Sequence, residues 1–214
     1  MTTAERWAAA TGVLVLALAW FGPMPVLAGS SFTAHMILHM SVVVVAAPLI
    51  GAGLAGLARD RGAAHLAAVV AVPASVLELV AVWFWHTPRF HEAARWEPAV
   101  FVAEQATFAF VGIVLWGSAL AARHVRVQLP GAIFALLMTS MHMTLLGVIL
   151  ALAGRPLFSD RCLGGVFFAD PMIDQAVGGV LMLGVGGAAY LAGGLFLAWT
   201  LLTQRPPLAD PSTA

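Results

Sequence analysis

Six mostly apolar runs, at residues 7–27, 34–57, 64–85, 98–121, 129–153 and 174–202, organise this chain. What separates or interrupts them is polar or helix-breaking: Phe21-Gly22-Pro23, Arg59-Asp60-Arg61, Pro88 to Pro98, Arg123 to Arg126, and Arg155 to Pro171. A helix needs about 20 apolar residues to cross the hydrocarbon of a bilayer, whereas barrel strands alternate over roughly 10. Runs this long and continuous therefore predict helices, one of the two structures that satisfy their backbone within lipid. Helical periodicity adds little, because a span touching lipid on one side and protein on the other is apolar all round. The expected fold is all-α: a polytopic membrane helical bundle of about six transmembrane helices.

The first run has two readings. Residues 1–28 form either a first transmembrane helix or a signal peptide, since Arg6, an apolar stretch and Val26-Leu27-Ala28 before Gly29 also suit cleavage at a small residue. Cleavage would leave five spans. Residues 29–203 form the bundle, and residues 204–214, with three prolines, read as a disordered cytoplasmic tail. Neither a repeat nor a second domain is apparent.

Composition strengthens the membrane reading. Hydrophobic residues make up 61% of the 214 and charged residues only 9%, against roughly 25% charged in soluble domains. The ten cationic residues are all arginine, matched by ten acids, so no basic surface is available for nucleic acid. The single cysteine, Cys162, excludes an intramolecular disulfide and paired-cysteine metal motifs. Arginines also orient the chain. Alternating loops place Arg6, Arg59, Arg61, Arg123, Arg126 and Arg205 on one side and Arg89, Arg95, Arg155 and Arg161 on the other. That bias puts both termini in the cytoplasm of a bacterial-type inner (plasma) membrane and the other end toward the periplasm.

With this topology the histidines gather at the periplasmic end. His35 and His39 open the second span four residues apart, on one helix face and about 6 Å apart along its axis. His86 closes the third span and His91 follows it; His142 lies in the fifth, near Met138, Met141 and Met143. Only His65 and His124 fall on the cytoplasmic side. An ionisable group inside a membrane is costly and usually faces a bundle interior or cavity. Imidazole and thioether are also ligands that suit copper, thioether particularly Cu(I). The expected metal ligands are His35, His39, His86 and His142, with Met36, Met40, His91, Glu104, Met141, Met143 and Asp174 as accessory candidates. Plainer roles stand beside these: interfacial hydrogen bonding for a histidine near a span end, packing for the methionines, helix capping for Asp174. Glu78, deep in the third span, is expected to pair with a buried polar group, and Pro73 to kink that span.

Three short motifs, in order, carry a family resemblance. His35-Met36-Ile37-Leu38-His39 leading to Ala47-Pro48-Leu49, Trp85-His86-Thr87-Pro88 with Phe90 and Ala93-Ala94, and Pro156-Leu157-Phe158 followed by Asp170-Pro171, Asp174-Gln175 and Gly178-Gly179 together resemble the polytopic CtaG-type cytochrome c oxidase assembly proteins over roughly residues 32–200. That family commonly shows Glu-His in the fourth span, with a further histidine shortly before. Here Glu104 is followed by Gln105, and no histidine lies between His91 and Glu104. The resemblance implies a non-enzymatic role in maturing a haem–copper oxidase by passing Cu(I) to its copper centre. The implied partners are membrane lipid, an oxidase subunit and a periplasmic copper donor. Two alternatives remain open: an electron carrier whose haem is held by two histidines, His39 and His142 being the best pair, and a metal-free scaffold or transporter.

Overall fold

The polar separators become helix ends, as the local chemistry requires. In the computed structural model, which describes residues 1–159 and 162–204, helix α1 (Thr3–Phe21) opens with a capping box. The Thr2 hydroxyl accepts from Glu5 N at 3.2 Å, and Glu5 Oε2 accepts from Thr2 N at 2.7 Å. Gly22-Pro23 ends α1, so the run expected to continue to residue 27 breaks into α1 and a short α2 (Met24–Ala28). The helix also starts earlier than hydropathy suggests. Its polar first turn is held by Arg59, whose guanidinium grips Glu5 through both oxygens at 2.8 and 3.1 Å.

The second span, Phe32–Asp60, comprises α3 (Phe32–Met40), a π-helical segment at Ser41–Ala46, and α4 (Ala47–Asp60). The widened turn directly precedes Pro48. Proline has no N–H for the Val44 carbonyl one turn back, so the regular ladder fails there. Val43 O in that segment accepts from the Trp116 indole at 3.1 Å. The same defect explains the third span, Ala64–Trp85, where α5 (Ala64–Ala68) and α6 (Ala71–Trp85) meet at Val69-Val70. Pro73 deprives Val69 O of its donor, giving the interruption expected of that proline.

Helix α7 (Pro88–Trp96) is short and amphipathic and lies at one end of the bundle. Helices α8 (Pro98–Ala121) and α9 (Leu129–Leu152) form the cores of the fourth and fifth spans. The sixth span, Pro171–Thr203, joins α10 (Pro171–Leu181), a second π-helical segment at Met182–Gly187, and α11 (Ala188–Thr203). Among the described residues there is no strand, and six helical stretches are long and apolar enough to cross a membrane. The expected tail at residues 205–214, and Asp160 and Arg161, lie outside the described residues.

Small residues and buried polar pairs hold the spans together, since lipid offers little hydrophobic incentive for helices to associate. Helices α9 and α10 touch backbone to backbone at Gly147 and Gly179: a Cβ on either would sit 2.7 Å from the other's carbonyl oxygen. The Tyr190 hydroxyl of α11 donates to Glu78 Oε1 of α6, and Ser140 Oγ of α9 donates to Gly187 O at 2.7 Å. Glu78 thus has the buried polar partner expected for it.

A buried histidine cluster as the candidate functional site

One residue fixes the start of α3 and, with it, the first two histidines. The Asp174 carboxylate of α10 accepts from Ser31 Oγ (2.8 Å), Phe32 N (2.7 Å), Thr33 N (3.1 Å) and Gly164 N (3.1 Å). These include unpaired amides at a helix N-terminus, where a carboxylate is favoured. His35 and His39 follow on one face, their rings parallel within 5° and 6.3 Å apart between centroids. From α7, Pro88 starts the helix and His91 and Arg95, four residues apart, point back into the bundle.

Four histidines meet here. The His35 ring lies 4.8 Å from His91 and 5.9 Å from His86, centroid to centroid, and His39 lies 5.7 Å from His86. His35, His39 and His91 are fully buried and His86 nearly so. Phe32, Phe158 and Phe108 wall the cluster, with Phe158 at 4.2 Å from His91 and Phe108 at 4.0 Å from His39. Glu104 of α8 completes it: one of its oxygens and one ring nitrogen each of His35 and His91 lie within 4.8 Å of one another.

Hydrogen bonds assign two tautomers. His86 Nδ1 sits 2.7 Å from Val82 O, so it carries the proton and leaves the Nε2 lone pair free, the arrangement usual in metal-binding histidines. His35 is the reverse. Arg95 Nη1, a donor only, approaches His35 Nδ1 at 2.6 Å, so the neutral ring carries its proton on Nε2. Arg95 Nη2 pairs with Glu104 Oε2, which also accepts from Gln105 Nε2 at 3.2 Å. His35 Nε2, His86 Nε2, both nitrogens of His39 and of His91, and Glu104 Oε1 are buried without a protein hydrogen-bond partner. Buried polar atoms normally have partners. Neutral imidazoles beside a spare carboxylate oxygen form a donor set suited to a transition metal such as zinc, copper, iron or nickel.

Outside the spans, burial pushes His86 down from 6.5 to about 4, with Arg95 adding to the fall and the Val82 carbonyl opposing it. Burial, then Arg95, then His86 hold His91 well below 6.5. An unfolded chain takes up these protons near pH 6.5, before the folded chain does. Stability is therefore full above about pH 6.5 and is lost as pH falls toward about 4. Thermal unfolding in detergent between about pH 7.5 and about pH 4.5 is expected to show a falling midpoint, less steep in His86→Gln. A flat profile counts against neutral burial of these rings.

The other sequence-derived candidates lie elsewhere. His142 is buried with both nitrogens unpartnered, yet makes no ring contact with the four histidines, and His91 takes the place expected for it. Met36 and Met40 face α10 and the second π-helical segment, beside Gly178 and Gly186. Met143 is buried, whereas Met141 is 60% exposed on the bundle surface. Asp174 is occupied by its four donors. Sequence reasoning missed Arg95 as a member of the site, counting it only as a loop charge. Its i, i+4 relation to His91 was the available signal.

Residues 1–204 match the family model of the cytochrome c oxidase caa3 assembly factors. No curated protein and no solved structure matches the chain. The family match takes in all six spans, α7 and every residue of the histidine cluster. A multi-pass helical protein of this architecture, matched over nearly its whole length, belongs to the cytochrome c oxidase caa3 assembly factor family.

Proposed function

We propose that this assembly factor holds Cu(I) transiently at the buried histidine cluster and passes it to an oxidase subunit at the periplasmic face of a bacterial inner membrane. The observation that carries this reading is the convergence of His35, His39, His86 and His91 beside Glu104, with six ring nitrogens and a carboxylate oxygen buried and unpartnered. His86 Nε2 offers a lone pair at once. His39 and His91, neutral and unpaired, each offer another. Neutral nitrogen ligands hold Cu(I) without forming a charged thiolate site, and few ligands leave room for an incoming donor to take the ion by exchange. No bond in a substrate need be broken, so the role requires no catalytic group. The arginine bias supports a periplasmic orientation of the cluster, the end at which copper from a periplasmic donor would arrive.

Competition titration of the detergent-purified protein with a Cu(I) chelator tests the site. A His39→Ala/His86→Ala variant is expected to lose affinity by roughly tenfold or more. Unchanged affinity would sink the site, and a strong Soret band in the purified protein would favour the haem carrier instead. Normal oxidase activity in a deletion strain, with and without added copper, would remove the assembly role itself.

A further inference from the structure

The centre of the histidine cluster already contains a cation. The Arg95 side chain is 1% exposed, and its two terminal nitrogens reach His35 Nδ1 and Glu104 Oε2. Those two residues and His91 are the group whose ligand atoms lie within 4.8 Å of one another. A metal ion there would meet a fixed positive charge at contact range. One of the nitrogens beside Glu104, His35 Nδ1, is also committed to accepting from the guanidinium. Metal and guanidinium are thus alternative occupants of one place.

The surroundings give the guanidinium somewhere to go. A cavity of about 210 Å³ between α2 and the α7–α8 junction is lined by Pro25, Gly29, Ala94, Pro98 and Phe101, with Arg95 on the wall it shares with the cluster. The guanidinium carbon already lies 5.5 Å from the Phe101 ring centroid, within range of a cation–π contact. Nη1 is 3.4 Å from Ala28 O on the same side. Arg95 Nε has no protein partner. A short outward swing therefore exchanges one set of contacts for another.

Resting on the copper reading above, we propose that Arg95 is the resident cation of this site and that Cu(I) enters by exchange, as the guanidinium moves into the Phe101 cavity and frees His35 Nδ1 and Glu104 beside the lone pairs of His39, His86 and His91. Arg95 is then a gate that keeps the carboxylate neutralised when no metal is held and opposes retention of the metal once it is. Weak retention suits a protein that must give its cargo away.

Cu(I) titration against a chelator and stopped-flow uptake, on wild type, Arg95→Gln and Arg95→Lys in detergent, test the exchange. Arg95→Gln is expected to bind Cu(I) roughly tenfold or more tightly, because the repelling charge is gone. Arg95→Lys keeps the charge but cannot bridge His35 and Glu104 as a planar fork does, and is expected to take up Cu(I) faster than wild type. It also keeps the question answerable where Arg95→Gln does not fold. In wild type with ¹⁵N-labelled arginine, Cu(I) is expected to shift the Arg95 Nε–H resonance. Equal or weaker affinity in Arg95→Gln, unchanged uptake in Arg95→Lys, or an unmoved resonance at saturating Cu(I) overturns the exchange and leaves the copper reading standing. Absence of Cu(I) binding in wild type and both variants overturns the copper reading itself. Binding by Arg95→Gln alone overturns the exchange as well, since the guanidinium then never yields its place to Cu(I).

Discussion

Glu104→Ala is expected to destabilise the protein by about 3–5 kcal/mol, because it leaves the Arg95 guanidinium buried without its counter-charge. Both partners are essentially inaccessible to solvent, so water cannot compensate as it does for surface pairs. A cost of this size is a large share of the 5–15 kcal/mol that typically separates folded from unfolded states. The double variant Arg95→Met/Glu104→Met is expected to regain most of the loss, since two apolar side chains of similar volume leave no buried charge. Equilibrium unfolding of Arg95→Met, Glu104→Met and the double variant, in one detergent, gives the coupling directly. A Glu104→Ala cost below about 1 kcal/mol would place the pair in contact with solvent, contrary to its burial.

Asp174→Ala is expected to cost about 3 kcal/mol or more, through a different mechanism. Here no charge is orphaned. Instead the amides of Phe32, Thr33 and Gly164 and the Ser31 hydroxyl lose one common acceptor. The damage reaches the histidines, because His35 lies one turn from those amides, and its position depends on how α3 begins. Hydrogen exchange at Phe32 and Thr33 is expected to accelerate together with the fall in unfolding midpoint. Asp174→Asn, which keeps an acceptor oxygen but not the charge, is expected to fall between wild type and alanine. Exchange at those amides as slow as in wild type would show that another group caps the helix.

The spans were legible because a bilayer imposes a length rule that hydropathy reads directly. Their ends were legible where proline or glycine stands, as at Gly22-Pro23 and Pro73. The start of α1 was not, because Glu5 and Arg6 look like a polar leader until Arg59, more than fifty residues on, is seen to hold Glu5. The π-helical segment before Pro48 was hidden for a similar reason: sequence marks the missing donor but not how the extra residue is accommodated. At the site, His35 and His39 were readable from their i, i+4 spacing, and His86 from its place at a span end. The burial of His91 was not legible because its segment looked like a loop, whereas Pro88 begins an amphipathic helix that turns it inward. His142 and Met141 show the opposite limit. A helix apolar on every side gives no sign of which face is inside, so adjacent residues 100° apart ended in different surroundings. Arg95 was visible only as a charge for topology, since nothing in the sequence places it opposite a buried carboxylate.

The nine-residue separation of Arg95 and Glu104 bears on how the protein is made. Carrying a bare carboxylate into the hydrocarbon costs about 2.5–3.5 kcal/mol on insertion scales. Ser31 and Asp174, by contrast, are separated by 143 residues and meet only after the last span has emerged. The arginine sits in the segment that leads directly into the fourth span, so it arrives at the translocon together with the acid it neutralises. The fourth span can therefore be released into lipid with its acid already neutralised, before the fifth and sixth spans have been synthesised. The bond that closes the site is therefore also one that can form early.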